Sequence, residues 1–182
     1  MQIAAVILAA GASTRFGSPK QLAPYGHGTM LDAVVGVARA AGLSPIVVVL
    51  PSAIPPPAEV TAVVNDDPGD GMSRSLRLAL AAVPVWAEAT VILLGDQPGV
   101  PAAVVARILA ARGDRPIVAA SAGGTLGPPV LLERRAFSMA DAATGDQGLR
   151  DLIRGNRHLV TEVEVEAHAP DVDSPADLER MA

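Results

Sequence analysis

Short apolar runs, unbroken by charge, set the tightest limit on what this chain can fold into. "IAAVILA" (3–9), "PIVVVL" (45–50) and "ATVILLGD" (89–96) carry apolar side chains at successive positions. Alternate residues of a strand point to opposite faces, so such a strand is stable only inside a sheet covered on both sides. The segments between them change period. In "TMLDAVVGVARAA" (29–41), Leu31, Val34, Val35 and Ala38 share one helical face and Gly42 stops the helix. Ser73 is placed to cap a helix over "RSLRLALAAV", and Pro101 to open one running to Arg112. "EVTAVVN" (59–65) and "PIVAAS" (116–121) predict further strands. Strand–helix alternation of this kind predicts one α/β domain over residues 1–182, a mainly parallel sheet between two helix layers.

The pattern loosens after residue 121. "GPPVLLE" reads as a strand, "QGLRDLIRG" as a helix closed by Gly155, and "SPADLERM" as a last helix capped by Ser174. "HLVTEVEVE" alternates polar and apolar residues, which predicts an exposed or antiparallel addition to the sheet. The chain has no cysteine, which excludes thiolate metal sites, iron–sulfur clusters, disulfides and thiol nucleophiles. Its net charge is −5 and its bases are scattered, against a polymeric nucleic-acid partner. The run 3–10 is too short to span a bilayer and lacks a basic lead-in, while Pro84 and Glu88 interrupt the stretch 78–94. A soluble cytoplasmic protein is expected, with no membrane association.

In open α/β sheets, ligands bind beyond the carboxyl ends of the strands. Three loops there read "AAGASTRFGSPK", "NDDPGDGMSRS" and "GDQPG". In the first, glycines let backbone N–H groups approach an anion, Ser13 and Thr14 add hydroxyls, and Arg15 suits bidentate contact with phosphate. Lys20 is the only lysine among 14 strong bases. This loop is neither a P-loop nor a dinucleotide fingerprint, because its glycine and lysine spacings differ from both. Phosphate binding and an ordinary strand–helix connection with solvated bases fit it equally. Asp96 closes the most apolar strand, a suitable place for a Mg²⁺ ligand. Its other reading, a helix cap, is weakened by Pro98 and Pro101. Asp171 and Asp173 are candidates to meet Asp96 across a metal, though capping and surface roles fit them better. His27, His158 and His168 lack metal-ligand spacing and read as loop or surface residues, and no G-x-S-x-G elbow supports a hydrolytic triad.

Together these loops resemble the MobA-like NTP transferases, most closely the molybdenum cofactor cytidylyltransferases. "LAAGASTRFGSPKQL" matches the pattern L-A-A-G-x-S-x-R-x-G-x-x-K-Q-L. "VILLGDQPGV", "GDGMSRSLRLAL", "TGDQGLRDLI" and "DVDSPADLERM" match later motifs in order. Ala10 before Gly11 and Gln97 after Asp96 favour the cytidylyl over the guanylyl branch. The chain departs at Pro128, where the family's G-H-P segment has histidine.

The resemblance implies a Rossmann-like three-layer α/β/α nucleotidyltransferase fold with a mostly parallel mixed sheet. It implies transfer of a nucleotidyl group, CMP from CTP or another NTP, to a molybdopterin-type phosphate, with release of pyrophosphate. Leu8, Ala9, Ala10, Gly11, Arg15 and Lys20 would surround the triphosphate, and Asn65, Gly71, Ser73 and Ser75 would hold the nucleoside. Asp96 would bind Mg²⁺ with Asp173. Arg15, Lys20 and Asp96 would carry the catalysis, and Gln97, Gly145, Asp146 and Gly148 would face the acceptor. A molybdoenzyme is the implied protein partner. Two alternatives share these motifs: transfer to another small phosphorylated acceptor, and a cofactor-carrying maturation chaperone without turnover. A pyridine-nucleotide oxidoreductase is weaker, since its fingerprint is missing.

Overall fold

The computed structural model describes residues 2–67, 71–142, 145 and 148–181. Among them a seven-stranded sheet is formed by β1 (Ile3–Leu8), β4 (Ile46–Leu50), β5 (Thr61–Val64), β6 (Ala89–Leu94), β7 (Ile117–Ala122), β8 (Thr125–Glu133) and β9 (Val160–Glu164). Two-residue strands β2 (Pro24–Tyr25) and β3 (Gly28–Thr29) make a separate small hairpin. The sheet order is β5-β4-β1-β6-β8-β7-β9. All pairings are parallel except the two made by β8.

The period-2 geometry of β1 sorts its side chains between two cores. Ala5 and Ile7 pack with α1 (Met30–Ala40) and α3 (Ala102–Ala110) on one face. Ala4, Val6 and Leu8 pack with α2 (Gly71–Ala82) and α4 (Gly148–Gly155) on the other. Every residue of β1 is buried, as two-sided coverage requires. Each large aliphatic side chain removed from water in this way contributes about 1.5–3 kcal/mol before entropy is set against it. The three-layer α/β/α arrangement is thus the one the apolar runs predicted.

Details differ from expectation. Helix α2 begins at Gly71, so Ser73 lies inside its first turn, almost fully buried, rather than ahead of it. The alternating segment forms β9 at the sheet edge, exposed on one side as expected, but its pairing with β7 is parallel. The antiparallel strand is β8. It pairs with β6 along one edge and β7 along the other, and Leu131 enters one core while Val130 and Leu132 enter the other, so its buried half carries no alternation. The last helix, α5 (Pro175–Glu179), opens with a capping box: the Ser174 hydroxyl accepts from the Asp177 N–H, and the Asp177 carboxylate accepts from the Ser174 N–H. Among the described residues no helix is long and apolar enough to cross a membrane.

Candidate active site

Strand β1 lies between β4 and β6, so the chain leaves β1 to one side, runs to β5, and returns on the other. Such a reversal opens a crevice at the carboxyl ends of the two strands. A cleft of about 410 Å³ occupies it, lined by Leu8, Ala9, Ala10, Gly11, Lys20, Gln21, Gly71, Ser75, Gly95 and Asp96, among others. Gly95 is required at its floor: a Cβ there would stand 2.7 Å from the Ala9 Cβ. The two strand ends can meet only because one of them carries no side chain.

The loop after β1 is fixed in place by its own polar groups. Gln21, 3% exposed, donates from Nε2 to the carbonyls of Ala9 (2.6 Å) and Gly11 (3.2 Å). Ser13 takes a left-handed φ of +51°, a conformation that costs a non-glycine residue free energy, and its hydroxyl accepts from the Lys20 N–H at 3.2 Å. Gln21 was missed as a site residue by sequence reasoning. Its signal was its place in the K-Q-L end of the matched pattern, which carried no assigned role.

Lys20 then reaches across the crevice. Its Nζ donates to Asp96 Oδ2 at 2.9 Å, to the Val172 carbonyl at 3.0 Å and to Asp173 Oδ1 at 3.2 Å. The lysine side chain is 12% exposed, so these contacts are screened far less than a surface pair, which is typically worth ~0.2–1 kcal/mol. Arg15, well exposed, takes the other Asp173 oxygen at 2.8 Å. Three residues far apart in sequence, Lys20, Asp96 and Asp173, therefore converge on one point.

The C-terminal segment is held there by two devices. The Val172 N–H donates to the Asp96 carbonyl at 2.8 Å, and its side chain is fully buried. The Asp173 N–H donates to Asp177 Oδ2 at 3.1 Å, so the α5 capping box also sets the position of Asp173. Hydrogen bonds from the Ser174 hydroxyl and from the Asp173 and Ser174 backbone hold the Asp177 carboxyl below the usual carboxylate range. Val172 carries no recognisable sequence signal, because an apolar residue between two acids is commonplace.

Burial pushes the Asp96 carboxyl above its ordinary value, against the opposing pull of the Lys20 ammonium. Among the described residues, no group of three or more His, Cys, Asp or Glu side chains is arranged to hold a metal. A divalent cation here could rest on Asp96 and Asp173 and complete its shell with water and phosphate oxygens. That donor set is hard and oxygen-only, which suits Mg²⁺ or Mn²⁺.

The remaining predicted residues are spread over several places. Asn65 and Ser75 are both buried, and Asn65 Nδ2 donates to the Ser75 hydroxyl at 2.9 Å. Gly148 lies against the start of α2, where a Cβ would stand 2.6 Å from the Ser73 Cα. Gly145 is described with φ +65°, while Asp146 lies outside the described residues. Gln97, 5% exposed, turns away from the first cleft and lines a second cavity of about 600 Å³, where its Nε2 donates to Asp171 Oδ1 at 2.8 Å. His168 lines the same cavity.

Comparison with known proteins agrees with this geometry. The MobA-like NTP transferase domain model matches residues 5–163. The chain is 26% identical to the molybdenum cofactor cytidylyltransferase of Escherichia coli (strain K12) over 178 residues, covering 94% of this chain and 91% of that protein. The crystal structure of Rv0371c from Mycobacterium tuberculosis H37Rv superposes with a TM-score of 0.88 at 36% identity, covering 100% of this chain and 97% of that one. A structure of the same mycobacterial protein in complex with manganese gives 0.83 at 34% identity, over 100% and 98% of the two chains.

Proposed function

The chain belongs to the MobA-like NTP transferase domain family and is a nucleotidyltransferase; on that premise we propose that it transfers CMP from CTP to the phosphate of a molybdopterin-type cofactor in the cytoplasm. The observation that carries the proposal is the convergence of Lys20, Asp96 and Asp173 at the rim of a cleft floored by the motif loop. The match to a molybdenum cofactor cytidylyltransferase supports the choice of nucleotide and acceptor.

The reaction needs no protein nucleophile. An oxygen of the acceptor phosphate attacks the α-phosphorus in line, forming a P–O–P link. The bond from the α-phosphorus to the bridging oxygen breaks, and pyrophosphate leaves with the electron pair. The protein supplies position and charge. In this reading Lys20 exchanges part of its carboxylate contacts for triphosphate oxygens. Arg15, exposed and long, closes on the phosphates from the solvent side. Asp96 and Asp173 become free to hold Mg²⁺, which when bound offsets charge on the phosphoryl oxygens and the leaving group. Gln21 keeps the loop's carbonyls occupied, so that its N–H groups face the anion. A molybdoenzyme would receive the product.

The test is pyrophosphate release with each of the four NTPs, with and without purified molybdopterin cofactor. CTP plus cofactor is expected to give the highest rate. Equal release with a sugar phosphate in place of the cofactor would assign the chain a different acceptor.

A further inference from the structure

The ammonium of Lys20 stands where Asp96 and Asp173 would otherwise share a cation. Its three N–H donors are all used, on Asp96 Oδ2 at 2.9 Å, the Val172 carbonyl at 3.0 Å and Asp173 Oδ1 at 3.2 Å. Every partner is an oxygen, and two of them belong to the carboxylates suited to a divalent ion. An ammonium is a compact point charge, so it fits between oxygens that converge on one point; the planar fork of an arginine does not. Every other strong base of the chain is an arginine.

Formal charge among the ion-paired side chains is balanced. The carboxylates of Asp96 and Asp173 face the bases Lys20 and Arg15, two acids against two cations. A divalent ion entering alone would leave two positive charges in excess and set like charge against a mostly buried ammonium. A lysine leaving alone would strand the Asp96 carboxylate, itself largely enclosed, without a counter-ion. Neither step is favourable by itself. A triphosphate changes both, because it offers Lys20 new oxygens and brings the negative charge that offsets a metal.

We propose that Lys20 is the resident counter-ion of the metal position: it keeps divalent cations off Asp96 and Asp173 until a triphosphate draws it away, so that metal and nucleotide enter together. The inference rests on the transferase reading of this cleft and adds the regulation of its metal site. The coupling is reciprocal: the factor by which nucleotide raises metal affinity is the factor by which metal raises nucleotide affinity. Lys20 thus serves twice, as a phosphate contact when the cleft is filled and as a stand-in for the metal when it is not. A lysine needed for phosphate alone would leave, on removal, a site weaker in every respect. A lysine that stands in for the metal gives a gain on removal, tighter metal binding with no nucleotide present.

That gain is the test. Mn²⁺ binding to the nucleotide-free full chain is measured by loss of the free-ion electron paramagnetic resonance signal. Lys20→Met should bind Mn²⁺ at least about 10-fold more tightly than wild type. Combining it with Asp96→Asn should return the affinity to the wild-type value or below. The lone lysine gives a second readout, independent of any variant's folding. In wild type labelled with ¹³C-lysine, Lys20 supplies the only lysine side-chain signal. Its Cε resonance should stay in place on adding Mg²⁺ alone and shift on adding Mg²⁺ with CTP or with inorganic triphosphate. The proposal is overturned if Lys20→Met gains no Mn²⁺ affinity, if the gain survives Asp96→Asn, if Mg²⁺ alone moves the lysine signal as far as Mg²⁺ with CTP, or if neither polyphosphate moves it. Should the Mn²⁺ pattern and the triphosphate shift hold while no NTP releases pyrophosphate, the transferase reading fails alone. Should CTP be turned over while wild type and Lys20→Met bind Mn²⁺ equally, the counter-ion role fails alone.

Discussion

The two cavities are built on opposite terms. In the first, nearly every polar group is already matched: Lys20 has three partners, Asp173 has two cations, and Gln21 ties down two carbonyls. In the second, Arg154 and Arg157 sit largely in solvent, each beside an acid (Asp151 and Glu162), and two enclosed atoms, Gln97 Oε1 and His168 Nδ1, have no partner among the described residues. The chemistry explains the contrast. On the proposed reading every nucleotide brings the same triphosphate to the first cleft, so a self-paired constellation can wait with its groups in register, while the second space would meet the variable partner.

The sharpest way to break this comparison is Lys20→Ala. Three contacts vanish from the first cleft, and turnover should fall by on the order of 10²–10³ while the circular dichroism spectrum is retained. Near-normal turnover would mean that the first cleft is not where charge is neutralised. Asp96→Asn comes next, with about 10²-fold loss and loss of response to Mg²⁺ or Mn²⁺ in a metal titration. The wild-type pH profile tests the same carboxyl. Its folded value is raised, so the ionised form is favoured only above the ordinary 3.8. The acid limb of kcat/KM should therefore lie above that value, and Lys20→Met, which removes the opposing charge, should move it higher still. By linkage, the protonated carboxyl favours the folded state below the unfolded value, and that contribution disappears as pH rises through the folded one.

Gly148→Ala probes the wall between the two spaces. A methyl group 2.6 Å from the Ser73 Cα must push α4 off α2, with a loss of roughly 1–3 kcal/mol in a denaturant melt. The acceptor KM should rise more than the CTP KM, because α4 carries Arg150 and Arg154. The smallest effect is expected for Ser174→Ala, about 1 kcal/mol in stability from the lost cap. Its signature is a weaker metal response, since the capping box positions Asp173. An unaltered metal titration would show that Asp173 is placed by Lys20 and Arg15 alone.

Much of the molecule was legible in advance. The covered central strands followed from unbroken apolar runs, and the α5 start from Ser174 and Pro175, because both signals are local and act through the backbone. Lys20 and Asp96 stood out because each follows an apolar strand, and strand ends in an open α/β sheet are where ligands bind. The arginines of the second cavity, Val172 and His168 did not stand out, and Gln97 did so only through the resemblance. Their importance lies in what they touch, and nothing in their neighbours along the chain records it.

By itself, then, the sequence determined the layered α/β architecture and the motif loops, since residue period, glycine and proline act over a few positions. Only the tertiary structure decided that β8 runs antiparallel, that Asp173 joins Lys20 and Asp96, and that Gln97 and Asp96 face different cavities. Those outcomes depend on partners distant along the chain: Ala89 pairs with Glu133 where β8 meets β6, and 76 positions separate Lys20 from Asp96. Such contacts form only when the whole sheet closes, and no short stretch of chain encodes them alone.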